Sequence, residues 1–182
     1  MTTTHDPTTR IAVLVAAEGI EQVELTGPWK ALQDAGWDPV LVSPESGEVQ
    51  AYNHLEAADT FPVDRRVAEV AVEDFAGLLL PGGVANPDAL RLDEGAVRLV
   101  RSFTSQGYPV AAICHAIWML VEADVLSGRK VTSWPSLQTD VRNAGGTWVD
   151  EEVVVDDLLV TSRKPDDIPA FNAAFLDLLG AG

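Results

Sequence analysis

Short, entirely apolar segments alternate along this sequence with segments that carry the spacing of amphipathic helices. Strands that are apolar on both faces and are joined through helices predict a parallel sheet covered by helices on both sides. We therefore expect an α/β fold with a mostly parallel sheet. The apolar segments lie at residues 11–17, 39–43, 76–80 and 110–113.

The remaining elements are predicted from weaker patterns. Residues 45–66 are rich in turn formers and predict irregular structure, with a short strand at 63–64. Residues 18–21 are predicted to form a loop. Two acidic residues between apolar runs predict a hairpin over 152–155 and 158–162. A further strand is predicted at 130–133, and helices are predicted up to residue 35 and over 94–105, 137–144 and 166–179.

The length and composition predict one domain. A chain of 182 residues with 47% hydrophobic residues can bury one sizeable core, and no linker rich in Ser, Gly and Pro divides it. We assign residues 11–182 to a single domain and the polar residues 1–10 to a flexible tail. The tail lacks the apolar segment of a secretion signal, and the single cysteine excludes an internal disulfide framework. A reducing, cytoplasmic location is therefore expected.

The net charge limits the classes of partner. With 12 basic and 28 acidic residues, the formal charge is −16, which opposes binding to nucleic acid phosphates or anionic lipid. We expect neutral or cationic substrates, and neither a nucleic acid nor a membrane partner. The sequence lacks a zinc-ligand cluster, a P-loop and a dinucleotide-binding fingerprint, so no metal or cofactor is predicted.

The only cysteine, Cys114, follows the apolar run 110–113 and precedes a helix-forming segment at 116–122. A sharp turn between a strand and a helix is where α/β hydrolases place their nucleophile. The helix N-terminus is expected to favour the thiolate and so to make the sulfur nucleophilic and oxidisable. A lone cysteine is also compatible with a small buried hydrophobic residue, so the surrounding residues have to decide between the two interpretations.

Three further residues follow predicted strands at the same edge of the sheet. Glu21 follows the first strand, and Gly82 and Gly83 follow the third. A buried Glu21 would be a protonated donor to the sulfur, whereas the alternative is a carboxylate stabilised by a helix N-terminus. The glycine backbone N–H groups are candidates to hold an oxyanion, and a simple tight turn is the alternative.

His115 adjoins the nucleophile, which makes its side chain the candidate general base and its backbone N–H a further candidate for the oxyanion site. Neighbouring side chains diverge on a helix, so this role requires a strained turn at Cys114. Asp88 is expected to orient His115 from the same or a neighbouring subunit, unless it only caps a helix. Trp118 and Trp134 are expected pocket residues, although Trp118 also fits a core position.

These candidates lie within a set of short motifs. The motifs are Glu21-Gln-Val-Glu24-Leu, Leu79-Leu-Pro-Gly-Gly83, Asn86-Pro-Asp88-Ala-Leu-Arg91, Ala112-Ile-Cys114-His115, Thr132-Ser-Trp-Pro135, and the segments 144–155 and 161–171. Together they resemble the ThiJ/PfpI superfamily, specifically its branch of intracellular protease I and general stress proteins. The resemblance covers nearly everything from residue 10 onward. It implies a flavodoxin-like sandwich of the class I glutamine amidotransferase type, assembled as a homodimer or a larger ring.

The resemblance also implies a role for each matching residue. Cys114 is the implied nucleophile, Glu21 its protonated partner and His115 the neighbouring base. Asp88 stands where the family has an acidic residue facing that histidine, in some members across a subunit interface.

The activities of the family give the leading hypothesis. It is a stress-response hydrolase that acts on methylglyoxal, glyoxal or their protein adducts, as a deglycase or a cofactor-free glyoxalase. An intracellular cysteine peptidase is the alternative among enzymes, because the same thiolate and oxyanion site serve acyl transfer. A redox-sensing or chaperone-like stress protein, in which Cys114 is oxidised to a sulfinate, is the alternative from another class. Catalytic turnover, as opposed to stoichiometric oxidation, separates these hypotheses.

Overall fold

The computed structural model describes residues 9–180. The strands are β1 (Arg10–Leu14), β2 (Glu18–Glu21), β3 (Asp38–Ser43), β4 (Glu48–Asn53), β5 (Glu56–Pro62), β6 (Arg65–Arg66), β7 (Gly77–Leu80), β8 (Val110–Ile113), β9 (Lys130–Val131), β10 (Thr147–Trp148), β11 (Val153–Asp156) and β12 (Leu159–Ser162). The α-helices are α1 (Gln22–Asp34), α2 (Ala85–Leu90), α3 (Glu94–Ser105), α4 (Ile117–Glu122), α5 (Gln138–Asn143) and α6 (Ile168–Leu179).

The central sheet has seven strands in the order β11–β12–β8–β7–β1–β3–β6. Its neighbouring strands are parallel apart from β11, which pairs antiparallel with β12 across the predicted hairpin. The strands β7 and β8 and the helix α3 lie where the apolar and amphipathic patterns predicted them. The structure therefore confirms a mostly parallel α/β fold with helices on both faces of the sheet.

Alternate strand residues supply the two halves of the core. In β1, Ala12 and Leu14 pack into the cluster that contains residues of α3 and α4. Ile11 and Val13 pack into the opposite cluster, which contains residues of α1 and α6. This period of two is expected for a strand in the middle layer of a three-layer sandwich. The two helical layers pack on opposite faces of the sheet. The loops of the candidate site extend from the ends of its strands.

A second, three-stranded sheet was not predicted from the sequence. In it β4 pairs parallel with β2 and antiparallel with β5, so the loop expected at 18–21 and the irregular structure expected over 45–66 were wrong. The strand β5 is exposed or half-buried along its whole length, so it lacks the apolar run or alternation that marks a core strand. The short strand expected at 63–64 is β6, at 65–66.

Other element boundaries differ from the prediction by a few residues. Arg10, which was assigned to the tail, begins β1, and the rest of that tail up to residue 8 lies outside the described residues. The strand β9 is only two residues long and pairs with β10 rather than with the central sheet. Within residues 9–180, no helix has both the length and the apolar character needed to cross a membrane.

The order of the strands places a crevice between β1 and β7. The chain passes from β1 to β3 on one side of β1, whereas β7 and β8 lie on its other side. Open α/β sheets bind their ligands at such a reversal, beyond the carboxyl ends of the strands. The loops that follow β1, β7 and β8 therefore meet at the position where a ligand site is expected.

Candidate active site

Cys114 lies on a sharp turn directly after β8. The strand ends at Ile113, Cys114 has a φ of 63°, and a 3₁₀ turn (Cys114–Ala116) leads into α4. A left-handed φ at a residue with a Cβ costs about 1–3 kcal/mol and persists only where the surrounding structure holds it. Here the buried strand and helix on either side do so. This is the strained turn that a Cys–His pair requires.

The carboxyl group beside the thiol belongs to Glu24. Its side chain is fully buried, and burial raises the pKa of Glu24 from 4.5 to about 8. The carboxyl interacts with the thiol of Cys114 and with the backbone of Gly82 and Gly83, although its oxygens do not reach regular hydrogen-bond geometry with any described residue. At neutral pH it is therefore mostly protonated and can donate a hydrogen bond to a thiolate.

From the sequence, Glu21 was expected at this position, and the structure corrects that expectation. Helix α1 begins at Gln22, which leaves Glu21 just outside it and turns Glu24 inward in the first turn. The Oε2 atom of Glu21 accepts a hydrogen bond from the backbone N–H of His54, at 3.1 Å. A signal for Glu24 was present in the sequence, because Glu24, Pro28 and Leu32 are spaced by four residues on one buried stripe of the helix.

The loop after β7 that contains Gly82 and Gly83, the glycine loop, packs directly against Cys114. A Cβ on Gly82 would lie 2.7 Å from the Cβ of Cys114 and would collide with Oε2 of Glu24. A Cβ on Gly83, whose φ is 85°, would collide with the carbonyl oxygen of Gly19. The backbone N–H groups of Gly83 and His115 both interact with the sulfur and act to lower the pKa of the Cys114 thiol. They are two of the three donors predicted from the sequence for an oxyanion; the third, Gly82, interacts with the carboxyl of Glu24 instead.

The thiol itself is stabilised in its protonated form. Burial raises the pKa of Cys114, and the charge of Glu24 raises it further when that carboxyl is ionised. The opposite effect, a lowered thiol pKa, was expected from a helix N-terminus. That contribution is small, because α4 has only six residues and follows a 3₁₀ turn rather than the cysteine itself. The sulfur therefore needs a base in order to react.

His115 is placed to be that base. Its Nδ1 atom lies 3.2 Å from Sγ of Cys114, and burial lowers the pKa of His115, which keeps the imidazole neutral at neutral pH. The ring stacks on Trp134, with centroids 5.7 Å apart, and meets Trp118 edge-on at 5.3 Å. The two aromatic rings fix the orientation in which Nδ1 faces the sulfur.

The two tryptophans have different positions. Trp134 lines the cavity in front of Cys114, as expected. Trp118 is not among the lining residues, which corrects its expected place in the pocket. Its indole N–H donates to Asp140 at 2.9 Å, and the guanidinium of Arg91 lies over its ring. These contacts hold Trp118 behind His115, where it supports the imidazole instead of contacting a ligand.

Asp88 does not join the other candidates within one chain. It is exposed on α2, and in the described part of the chain the only side chain that forms a hydrogen bond with His115 is that of Cys114. An orienting role for Asp88 would therefore require a neighbouring subunit.

The cavity in front of the sulfur has a volume of about 500 Å³. Its walls come from β2, the first turn of α1, the glycine loop, the β4–β5 hairpin tip and the segments that carry Cys114 and Trp134. No group of three or more His, Cys, Asp or Glu side chains in residues 9–180 is arranged to hold a metal ion. The lining residues are Glu18, Gly19, Glu21, Glu24, Tyr52, His54, Leu55, Gly83, Val84, Ala85, Cys114, His115, Trp134 and Pro165.

Replacing Gly82 with alanine tests the packing of the glycine loop on the site. We expect a loss of about 1–3 kcal/mol in unfolding free energy from overpacking, together with slower alkylation of Cys114, because the new methyl group displaces the loop from the sulfur. Thermal melting and the rate of reaction with iodoacetamide measure the two effects. Gly27→Ala, inside α1, is the control. It should change neither the melting temperature nor the alkylation rate strongly, since its Cβ would meet only Ile168, at 3.2 Å. Equal behaviour of the two variants would contradict the packing described here.

The cluster of thiol, carboxyl and imidazole can be compared with known proteins. The sequence model of the DJ-1/PfpI family matches residues 9–178. The chain belongs to the DJ-1/PfpI family. This membership confirms the resemblance seen in the motifs.

Individual DJ-1/PfpI proteins are similar over nearly their whole length. "Protein/nucleic acid deglycase 2" of Escherichia coli (strain K12) is 44% identical over 173 residues, which cover 94% of this chain and 98% of the relative. YraA of Bacillus subtilis (strain 168), which is named as a cysteine protease, is 39% identical over 170 residues, covering 93% and 98%. The crystal structure of DJ-1beta from Drosophila melanogaster matches with a TM-score of 0.84 and 29% identity, over 94% of this chain and 91% of that one.

Proposed function

We propose that this DJ-1/PfpI protein is a cysteine-dependent hydrolase that converts methylglyoxal or glyoxal, free or as adducts on protein side chains, to the corresponding hydroxy acid. The observation that carries the proposal is the buried cluster in which the sulfur of Cys114 lies 3.2 Å from Nδ1 of His115 and beside the protonated carboxyl of Glu24. The deglycase name of a relative with 44% identity supports the same class of reaction.

The cavity supports a small neutral or cationic substrate. Its volume of about 500 Å³ lies within the range of small-molecule sites. No lysine or arginine is among its described lining residues, whereas Glu18 and Glu21 are. A free dicarbonyl, or its adduct on a lysine or arginine side chain, therefore meets no charge repulsion. The net charge of −16 favours such substrates over nucleic acid.

The first step forms a covalent bond to the aldehyde carbon of methylglyoxal. The thiol proton passes from Cys114 to Nδ1 of His115 while the sulfur attacks. The oxygen that gains charge accepts hydrogen bonds from the backbone N–H groups of Gly83 and His115. It then takes the proton from the imidazole, which gives a neutral hemithioacetal and restores the neutral base.

The next steps move two protons and then release the product. His115 removes the proton on the former aldehyde carbon while Glu24 protonates the neighbouring ketone oxygen, which gives an enediol. His115 then protonates the ketone carbon and Glu24 recovers its proton from the other hydroxyl, so a lactoyl thioester forms. Water activated by His115 hydrolyses the thioester and restores the thiol. The sum is methylglyoxal plus water to lactate, with no external oxidant or reductant.

Peptide hydrolysis is supported less well by this geometry. Cys114 and His115 are 6% and 8% exposed, and Trp134 and the hairpin tip at Leu55 border the cavity. An extended peptide would have to bring a backbone carbonyl down to that depth. A modified side chain or a free dicarbonyl reaches the sulfur without moving these walls.

Lactate formation is the decisive assay. We expect the purified protein to release one lactate for each methylglyoxal consumed, over many turnovers per chain, measured with lactate dehydrogenase and by proton NMR. Loss of methylglyoxal without lactate would indicate only adduct formation on Cys114. Absence of lactate from a protein whose Cys114 still reacts with iodoacetamide would overturn the proposal and favour the redox-sensing hypothesis.

A further inference from the structure

A buried amide lies beneath the glycine loop of the site. Asn86, on α2, is 1% exposed. Its Nδ2 donates to the carbonyl oxygens of Pro81 at 2.9 Å and Gly82 at 3.1 Å, and its Oδ1 accepts from the backbone N–H of Ala16 at 2.7 Å. Asn86 therefore links the end of β1 to the loop that follows β7, without lining the cavity itself.

An asparagine suits these three contacts better than any similar side chain. The amide has two N–H donors and one carbonyl acceptor, and the surrounding backbone offers two carbonyl oxygens and one N–H. This pattern also fixes which amide atom is nitrogen. An aspartate would place a carboxylate against two carbonyl oxygens, and a shorter serine could satisfy only part of the set. In the sequence, Asn86 could be recognised only as part of a motif.

The contacts of Asn86 determine the direction of a catalytic donor. The peptide group that joins Gly82 and Gly83 is planar, and its carbonyl and N–H point in opposite directions. The Gly82 carbonyl is held by Asn86 and, at 3.4 Å, by the backbone N–H of Glu21. The opposite end of the same peptide group is the Gly83 N–H, which interacts with the sulfur of Cys114.

We propose that Asn86 is a positioning residue, which acts through the Gly82–Gly83 peptide group to aim the Gly83 N–H at the sulfur and at the oxyanion formed there. The proposal rests on the proposed function for its effect on turnover. Its effect on the thiol is independent of any substrate. Because the donor remains in place in an Asn86 variant and only loses its orientation, the expected loss is smaller than the loss on deleting an oxyanion donor outright.

The test uses Asn86→Ala and Asn86→Ser, with Val100→Ala, at a buried position of α3 that does not line the cavity, as a control for destabilisation. We expect both Asn86 variants to lower kcat for methylglyoxal about tenfold with little change in KM, as for an interaction made in the transition state. The midpoint of the pH dependence of Cys114 alkylation should shift upward. Val100→Ala should lower only the melting temperature.

The outcomes separate this proposal from the proposed function. A protein without lactate formation would overturn the proposed function, and the alkylation midpoint would still test Asn86. Folded Asn86 variants with unchanged kcat and an unchanged midpoint would overturn the positioning role. Failure of both variants to fold would also overturn it, because a purely structural cross-link would then account for Asn86.

Discussion

Replacing Glu24 with glutamine will lower kcat/KM for methylglyoxal about a hundredfold or more, which is within the range that a positioned acid–base group contributes. Glutamine keeps the length of the side chain and can still donate a hydrogen bond to the sulfur. It cannot give up a proton and take it back, as the enediol step requires. The measurement is steady-state lactate formation by the purified variant.

Glu21→Gln is the matched control, because it makes the same chemical change three residues away. Glu21 contacts the backbone N–H of His54 and lies outside α1, so this variant should retain most of the activity. Comparing the two variants tests whether the carboxyl beside the sulfur is Glu24, as in the structure, or Glu21, as expected from the sequence. A large loss at Glu21 combined with a small loss at Glu24 would show that the two carboxyl groups have been assigned the wrong way round.

The pH dependence gives a second signature of Glu24. Since the pKa of Glu24 is about 8 and its role needs the protonated form, kcat/KM of the parent protein should fall as pH rises through about 8. The Glu24→Gln variant should lack that alkaline decline. An identical decline in both proteins would assign it to another group.

The pH dependence of the free energy of unfolding should also reveal Glu24, and the raised pKa of that carboxyl fixes the direction of the change. Between pH 4.5 and about 8, the folded state keeps a proton on Glu24 that the unfolded state has released. The free energy of unfolding therefore falls as pH rises through this window and levels off above it. Relative to the parent protein, Glu24→Gln should become more stable as pH increases, measured by thermal melting across that range. A constant difference between the two proteins would contradict the buried, protonated carboxyl.

The parts of the fold that could be predicted are those where burial leaves a pattern in the sequence. The strand β8 was predicted because all four of its residues are buried and apolar, and α3 because its buried residues recur with the helical period. The sheet formed by β2, β4 and β5 contributes only Ile20, Val49 and Ala51 to the buried core, too few for an apolar run. The positions of its strands are determined mainly by backbone hydrogen bonds between them. Backbone pairing leaves little trace in the pattern of polar and apolar side chains.

Individual residues of the site could likewise be predicted only where the sequence carries a local pattern. Cys114 could be located because a strand, a turn and a helix follow one another in the sequence. The choice between Glu21 and Glu24 depended on where α1 begins, and helix ends are the least certain feature of a sequence-based prediction. The role of Asn86 depends on the backbone N–H of Ala16, 70 residues away, as well as on the nearby carbonyls of Pro81 and Gly82, so no local pattern could have indicated it.

Replacing Cys114 with serine will abolish lactate formation, with a loss of about a thousandfold or more, as for removal of a nucleophile that works with its base as a unit. A serine hydroxyl has a far higher pKa than a thiol, so the neutral His115, whose own pKa is lowered by burial, cannot ionise it effectively. Cys114→Ala, which keeps a side chain of similar conformational demand at the same positive φ, controls for folding through its melting temperature. Activity above a tenth of the parent value in either variant would place the nucleophile elsewhere.

The Cys114 variants also separate catalysis from redox sensing. Carbonyl turnover regenerates the thiol, so the lactate formed per chain should rise well above one and should disappear in both variants. Oxidation to a sulfinate consumes the thiol and two peroxide equivalents per chain, and the reaction then stops. A parent protein that forms a stable oxidised Cys114 but never exceeds one lactate per chain would be a sensor that uses the same buried carboxyl to hold its oxidised sulfur. Multiple turnovers that peroxide then inhibits stoichiometrically would instead show that oxidation switches off an enzyme.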